Sequence, residues 1–201
     1  MSDFASAIPI AVPEEPPWKL PNRGIVGMAC LIVAEAAIFI IFVVAYVFYI
    51  GKSLSGPTPS QVLELPIFGS ICLLSSSLTV HWAVSALRKD DRRNCTLALG
   101  FTVLLGAIFL VTTAREWYHL IHDCGLTIRT NLFGSTYYSL VGLHATHVVV
   151  GLTMLTLAFV LSLSGRVHES HAEKLEVLSL YWHFVDAVWV VVFLVVYVLG
   201  R

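Results

Sequence analysis

Five polar side chains lie inside apolar stretches of this sequence, where a polar or charged group is costly. They are Glu35 in IVAEAAIFI, His144 and His147 in GLHATHVVVG, and His183 and Asp186 in YWHFVDAVWV. Residues three or four apart share one face of a helix, so each of the two closely spaced pairs projects in one direction. Carboxylates and imidazoles are groups that bind and transfer protons in proteins. These five residues are therefore predicted to be either proton-handling groups or buried polar groups that fix helix packing.

Glu35 has the most demanding position of the five. It lies eleven residues into an apolar run that begins at Gly24, and at 1.5 Å per residue this is roughly 16 Å from the start of a helix. A charged side chain near the middle of a membrane costs about 2.5–3.5 kcal/mol, so Glu35 is expected to face protein and to be paired or protonated. His147 is a suitable partner for it from another helix, and His183 is the alternative.

The elements that must hold these residues are membrane-spanning helices. The chain has 201 residues, of which 57% are hydrophobic and 12% charged, and its mean hydropathy is +0.82. A hydrocarbon core of about 30 Å requires about 20 apolar residues in a helix. Five runs satisfy this requirement: residues 24–50, 66–87, 95–121, 133–164 and 175–199. The sequence therefore predicts an all-α membrane bundle of five helices over residues 24–201, preceded by a Pro-rich arm over residues 1–23.

Basic residues predict the orientation of this bundle. Eight of them fall on one side: Lys19, Arg23, Arg88, Lys89, Arg92, Arg93, Arg166 and Lys174. The other side has Lys52, Arg129 and Arg201. Because cytoplasmic loops carry the excess of Lys and Arg, the N-terminus is predicted to be cytoplasmic and the C-terminus periplasmic. The net charge of −1 indicates no nucleic-acid partner.

No cofactor or metal site is predicted for this chain. Its four cysteines are scattered without C-x-x-C spacing, which indicates neither a disulfide framework nor a zinc site. A bis-histidine heme would need imidazoles from two helices at one depth, whereas His144 and His147 share a helix face and His183 lies nearer the cytoplasmic side. Arg115 and Glu116 are predicted to form a local ion pair at the outer end of the third span. The serines of LLSSSLTVHW are interpreted as small residues that allow close helix packing.

Four segments of the chain resemble subunit III of the heme-copper terminal oxidases. They occur in the family's order and with similar spacing: LLSSSLTVHWAVSALRKDDR, TAREWYHL, FGSTYYSLVGLHATHVVVG and YWHFVDAVWVVVFLVVYVLG. With Glu35, the resemblance extends from Gly24 to the C-terminus. The second segment, TAREWYHL, departs from the family pattern, because Thr113 replaces the usual glutamine and Arg115 replaces the usual Ser or Gln before Glu116.

The resemblance implies a non-redox accessory subunit of a proton-pumping oxidase. In this family oxygen reduction takes place in subunit I, and heme and copper are held by partner subunits. Subunit III is expected to pack against subunit I, to support assembly, stability and proton uptake, and to slow inactivation during turnover. Subunit II, membrane phospholipids and a larger respiratory supercomplex are further expected partners, in a bacterial inner membrane.

The resemblance also suggests residue roles. Glu35 corresponds to the carbodiimide-reactive glutamate of the family, and His144, His147, His183 and Asp186 match polar positions of its last two helices. The long form of the family has seven helices, of which this chain would supply the last five, as in short bacterial versions. Two alternatives stay open: an accessory subunit of a nitric oxide reductase, and a small ion transporter that uses Glu35.

Overall fold

A computed structural model describes residues 23–53 and 56–200, and this part of the chain is entirely helical apart from turns and loops. Five of its helices are long and apolar enough to cross a membrane, so the prediction of an all-α membrane bundle is confirmed. The α-helices, in chain order, are α1 (Arg23–Tyr49), α2 (Pro59–Val62), α3 (Ile67–Leu87), α4 (Arg92–His122), α5 (Leu132–Leu163) and α6 (Ala172–Phe193).

Four helices form a closed ring in which each packs against two neighbours. Helix α3 packs on α4, α4 on α5, α5 on α6, and α6 back on α3. Helix α1 packs outside this ring, mainly against α5 and α6. It buries only Phe39 and Tyr46, although it is the most apolar of the five long helices. Most of the surface of α1 therefore faces the membrane or another protein.

Trp182 of α6 fills the centre of the ring. It has no exposed surface, and its ring lies against two glycines on neighbouring helices. A Cβ atom added at Gly151 of α5 would lie 2.9 Å from the Trp182 ring, and one at Gly106 of α4 would lie 3.1 Å from it. The indole Nε1 donates a 2.8 Å hydrogen bond to Ser76 Oγ of α3. One side chain thus connects all four helices of the ring.

Side-chain caps set the beginnings of α4 and α5. Asp91 accepts a hydrogen bond from the backbone N–H of Asn94 at 3.1 Å, and Asn131 accepts one from Gly134 at 2.8 Å. Such caps satisfy backbone donors that have no partner inside the helix. Helix α4 therefore begins at Arg92, three residues before the predicted span.

The last helix also extends beyond its predicted span. A 3₁₀ turn (Glu169–His171) leads into α6 at Ala172, and a π-helical segment (Leu194–Leu199) continues it. The short helix α2 was not expected from the sequence, because four residues leave no hydrophobic period to detect. The predicted Pro-rich arm lies outside the described residues except for Arg23, and so do Lys19 and Arg201 of the orientation argument.

Candidate functional site

Helices α3 and α6 bring together a partly buried group of polar side chains that we call the inner cluster: Ser77, Ser179, His183 and Asp186. Ser77 Oγ donates a hydrogen bond to Asp186 Oδ2 and lies 2.9 Å from His183 Nδ1. Ser179 Oγ lies 3.1 Å from His183 Nε2. Asp186 is 4% exposed, and its Oδ1 has no hydrogen-bond partner among the described residues. A single carboxylate oxygen therefore links Asp186 to the cluster.

With Asp186 ionised and His183 neutral, the hydrogen bonds of the inner cluster run in one direction. Ser77 gives its only proton to Asp186, so it accepts the hydrogen bond from His183 Nδ1–H. A neutral imidazole then has an acceptor at Nε2, which the Ser179 hydroxyl satisfies. In this protonation state each hydrogen bond of the inner cluster has one donor. The arrangement can fix the register of α3 against α6 without transferring a proton.

Serines of α3 contribute more than the sequence indicated. The sequence indicated only small packing residues, but Ser77 lies between His183 and Asp186 and bonds to both. In the structure, His183 and Asp186 make no direct hydrogen bond to each other. Ser70 Oγ likewise accepts a 3.0 Å hydrogen bond from the indole of Trp189, as Ser76 does from Trp182. A polar stripe on α3 thus matches the polar and aromatic stripe of α6.

His144 is packed between aromatic rings. It is 1% exposed, its ring stacks on Trp189 at 5.0 Å between centroids, and Phe109 approaches edge-on at 6.0 Å. Neither ring nitrogen has a hydrogen-bond partner among the described residues. Although His144 and His147 are three residues apart, only His147 reaches a carboxylate.

Glu35 of α1 and His147 of α5 form a second polar contact, the outer pair. Glu35 Oε2 lies 3.1 Å from His147 Nε2, and the opposite ring nitrogen, Nδ1, lies 2.8 Å from the Leu143 carbonyl oxygen. A carbonyl can only accept a hydrogen bond, so Nδ1 carries a proton. Between Nε2 and the carboxylate there is then one proton, held either by the glutamic acid or by the imidazole. The outer pair can therefore hold a proton in two positions.

The outer pair lies at the edge of the bundle. The side chains are 27% exposed for Glu35 and 13% for His147. A cavity of about 270 Å³ adjoins the pair, lined also by Met28, Thr146 and Tyr181. On its other side His147 contacts the Phe39 ring at 4.9 Å between centroids. The pair is thus accessible from a cavity, whereas Ser179 and Asp186 of the inner cluster are buried between helices.

Glu116 makes a third polar contact near the C-terminal end of α4. Its Oε1 accepts hydrogen bonds from Tyr197 at 2.8 Å and from Tyr137 at 3.3 Å. The ion pairs of the described residues do not include one between Arg115 and Glu116. Glu116 therefore links α4 to α5 and to the end of the last helix, a role that the sequence did not reveal.

Within residues 23–53 and 56–200, no group of three or more His, Cys, Asp or Glu side chains is arranged to hold a metal ion. The inner cluster supplies one imidazole and one carboxylate, and the outer pair supplies the same two groups at another position. Both arrangements are suited to hydrogen bonding and proton binding.

Comparison with known proteins places the chain in a family. A sequence model of cytochrome c oxidase subunit III matches residues 22–201. Cytochrome c oxidase subunit 3 of Synechocystis sp. is 38% identical over 183 residues, which cover 89% of this chain and 77% of that protein. The Bacillus subtilis protein of the same name is 31% identical over 192 residues, covering 94% and 92%.

The similarity extends to animals. Human cytochrome c oxidase subunit 3 is 34% identical over 143 residues, which are 71% of this chain and 53% of the human protein. The matched region of the family model includes every residue of the outer pair and the inner cluster. The chain belongs to the cytochrome c oxidase subunit III family.

Proposed function

We propose that this chain is the non-redox accessory subunit III of a proton-pumping heme-copper oxidase. The observation that carries the proposal is the family match over residues 22–201. The relatives described above are cytochrome c oxidase subunits, which favours oxygen reduction over the nitric oxide reductase and ion transporter alternatives. Oxygen reduction takes place in subunit I of the complex, which holds the heme and copper with subunit II.

The exposed surface of α1 is suited to contact with the rest of the complex. Only two residues of this 27-residue helix are buried within the chain, and Val33, Ile40 and Ile41 are each more than 60% exposed. In lipid such a surface is stable, so apolarity alone does not demand a protein partner. Glu35 lies on the same helix, however, and packing of subunit I or phospholipid beside α1 would limit access to the outer pair.

Glu35 and His147 support a role in proton uptake. The two groups share one proton over 3.1 Å, and the adjoining cavity gives access to them. A carboxylate near mid-membrane is costly, and a contribution to proton delivery supplies a functional reason for retaining it. The outer pair thereby helps to keep proton uptake rapid and slows inactivation during turnover.

The complex resides in a bacterial inner membrane, with the N-terminus of this chain in the cytoplasm. The distribution of Lys and Arg supports this orientation, because most of them lie at the ends of α3 and α4 and around the turn before α6 that face the N-terminal side. Phospholipids and a larger respiratory supercomplex are further partners consistent with the family.

The first experiment is to purify the full chain through an affinity tag from its native membrane in mild detergent. We expect co-purified heme bands in the reduced-minus-oxidised spectrum, together with oxygen uptake. After separation of the subunits, this chain is expected to be heme-free. A solitary chain without heme would contradict the assignment to an oxidase, and heme retained on this chain would contradict its non-redox role.

The second experiment tests the role of Glu35 with Glu35→Gln, which keeps the size of the side chain and removes its acidity. We expect normal heme spectra, a normal initial rate of oxygen uptake and faster loss of activity during sustained turnover. Glu64→Gln is the matched control, since Glu64 is exposed and lies outside the outer pair. The proposed role would be contradicted if the Glu35→Gln complex kept the sustained activity of the unmodified complex. Loss of heme from the Glu35→Gln complex would also contradict it.

A further inference from the structure

Four Trp and Tyr side chains form a continuous row from the edge of the bundle to its interior, which we call the aromatic row: Trp117, Tyr138, Tyr137 and Tyr197. The ring centroids of Trp117 and Tyr138 are 5.4 Å apart, and those of Tyr138 and Tyr137 are 5.2 Å apart. The hydroxyl oxygens of Tyr137 and Tyr197 are 3.3 Å apart. Trp117 and Tyr138 are partly exposed, whereas Tyr137 and Tyr197 are at most 2% exposed. The aromatic row therefore connects an accessible indole to two enclosed phenols.

The side chains of the aromatic row belong to the types that give up a single electron most readily. An electron passes easily between aromatic rings that are in contact. An oxidised indole can keep its N–H proton for a time, but an oxidised phenol is a very strong acid and releases its hydroxyl proton. A tyrosine that donates an electron therefore needs a proton acceptor beside its hydroxyl group.

Glu116 provides this acceptor for the two enclosed tyrosines. Its Oε1 accepts a hydrogen bond from Tyr197 at 2.8 Å and one from Tyr137 at 3.3 Å. As a carboxylate, Glu116 can take over either proton and become a neutral acid. Tyr138 differs, because its hydroxyl donates to the Leu126 backbone carbonyl at 2.9 Å, and a carbonyl is too weak a base to remove that proton. An electron vacancy that enters the aromatic row is therefore stabilised at Tyr197 and Tyr137.

Packing alone does not require these hydroxyl groups. Phenylalanine in place of Tyr137 and Tyr197 would fill nearly the same volume and would need no polar partner. Instead both hydroxyls converge on Glu116, an acidic side chain within a membrane-spanning helix, where such a group is costly. Tyr197 also lies in the π-helical segment Leu194–Leu199, and π-helical turns are frequent at functional sites. The arrangement is thus suited to a function of the hydroxyls themselves.

We propose that Tyr197 and Tyr137, together with Glu116, form a redox-active tyrosine site that supplies single electrons to oxidising radicals. An oxygen-centred radical takes one electron from Trp117 at the edge of the bundle and is reduced, as when a peroxyl radical becomes a peroxide anion. Tyr197 then gives one electron to Trp117 through the rings of Tyr137 and Tyr138. The O–H bond of Tyr197 breaks as an O–H bond forms at Glu116 Oε1, so the products are a neutral tyrosyl radical and a neutral glutamic acid.

A soluble one-electron donor of the ascorbate class, which is itself oxidised to its radical, restores the site by the same route. It gives one electron to the tyrosyl radical through the aromatic row, and the proton returns from Glu116 to the Tyr197 oxygen. In the meantime the hydroxyl of Tyr137, 3.3 Å away, can donate a hydrogen bond to the radical oxygen. All the groups involved belong to this chain, so the site does not depend on the proposed function.

The test uses the full chain, with any subunits that accompany it, labelled in one sample with ring-deuterated tyrosine. Photogenerated tris(bipyridine)ruthenium(III) serves as the one-electron oxidant, and samples frozen at successive times are measured by electron paramagnetic resonance. We expect a persistent tyrosyl signal that narrows with deuterated tyrosine and disappears when ascorbate is added. The signal should form more slowly in D₂O, because proton transfer accompanies the oxidation.

Three variants separate this site from the other tyrosines. Tyr137→Phe with Tyr197→Phe should remove most of the signal. Glu116→Gln keeps a hydrogen-bond acceptor of the same size but cannot take up the proton, so the signal should form more slowly and decay sooner. Tyr46→Phe with Tyr181→Phe is the matched control and should keep the full signal. Both control tyrosines are buried, but the Tyr46 hydroxyl has no hydrogen-bond partner among the described residues, and that of Tyr181 donates to a backbone carbonyl.

Several outcomes would overturn the proposal. A signal that persists in full in Tyr137→Phe with Tyr197→Phe, or that falls equally in the control, would place the radical on other tyrosines. A signal that forms in Glu116→Gln at the rate of the unmodified chain would show that Glu116 is not the proton acceptor. If the double variant fails to assemble, the rate measured in Glu116→Gln still decides the point, and if Glu116→Gln fails, the double variant does.

Discussion

The inner cluster and the outer pair use the same chemical groups in different surroundings. Each joins one histidine to one acidic residue across two helices. In the inner cluster Ser77 lies between His183 and Asp186, so the imidazole and the carboxyl group do not meet directly. In the outer pair Glu35 and His147 meet directly at 3.1 Å. The first arrangement is suited to fixing two helices, whereas in the second a single proton can lie on either group.

Burial accounts for the difference. Asp186 lies between helices at 4% exposure, where a polar group depends on protein partners, and Ser77 supplies the one at its Oδ2. The Glu35 side chain is 27% exposed at the edge of the bundle, and a cavity adjoins it. Enclosure favours a packing role for the inner cluster, and access favours exchange of a proton at the outer pair. The following substitutions test this distinction.

The largest effect on stability is expected at Trp182, which fills the centre of the four-helix ring. Trp182→Ala removes a fully buried indole that touches Gly106 and Gly151 and bonds to Ser76. Loss of a buried Trp costs about 3–5 kcal/mol through lost contacts and the cavity left behind. We expect low yield or a strongly lowered midpoint of thermal unfolding in detergent. Trp82→Ala is the control, because Trp82 is 44% exposed, and its midpoint should change little.

A smaller but clear effect is expected at the acidic residue of the inner cluster. Asp186→Leu removes the acceptor of the Ser77 hydroxyl in a buried place, and an unsatisfied buried polar group costs about 1–3 kcal/mol. The midpoint of thermal unfolding should fall by about 4–8 °C for a cost of 2 kcal/mol. Asp186→Asn keeps an acceptor oxygen and should lose less. Equal midpoints for Asp186→Leu and the unmodified chain would contradict a packing role.

Ser77 provides a finer test of the same cluster. Ser77→Ala removes the hydroxyl that joins His183 to Asp186, and a hydrogen bond of this kind contributes about 1 kcal/mol. Ser75→Ala is the matched control on the same helix, since Ser75 lies outside the cluster. If both variants unfold at the same temperature, the serines of α3 act only as small packing residues, as the sequence suggested.

Hydropathy predicted the membrane helices, but not all of their ends. The five apolar runs correspond to five long helices, because hydrocarbon demands both apolar side chains and satisfied backbone groups. The start of α4 was wrong by three residues, since Arg92, Arg93 and Asn94 are polar and yet helical, and the Asp91 cap marks the true beginning. Hydropathy identifies the part of a helix that lies in hydrocarbon, whereas capping determines where the helix begins.

The contacts of the candidate site were only partly predictable, because they depend on how neighbouring helices are aligned with each other. His147 could be suggested for Glu35 because each is an isolated polar group within an apolar run. The partners of Asp186 and Glu116 could not be deduced, because Ser77 and Tyr197 are residue types that are also common as packing or interface residues. Which serine of α3 faces Asp186 depends on how two helices are aligned, and no local pattern specifies that alignment.

The smallest effect on stability is expected at the outer pair, in contrast to the inner cluster. The pair is partly exposed, so its coupling energy should be about 1 kcal/mol or less. A double-mutant cycle with Glu35→Gln and His147→Gln, read from thermal or chemical unfolding of the purified chain, measures it directly. Coupling as strong as that between Ser77 and Asp186, obtained from the same type of cycle, would remove the distinction between the two sites. Weak coupling would mean that the pair contributes too little to helix packing to offset the cost of an acidic group within the membrane. If Glu35→Gln also loses oxidase activity faster, the role of the outer pair is to hold a proton.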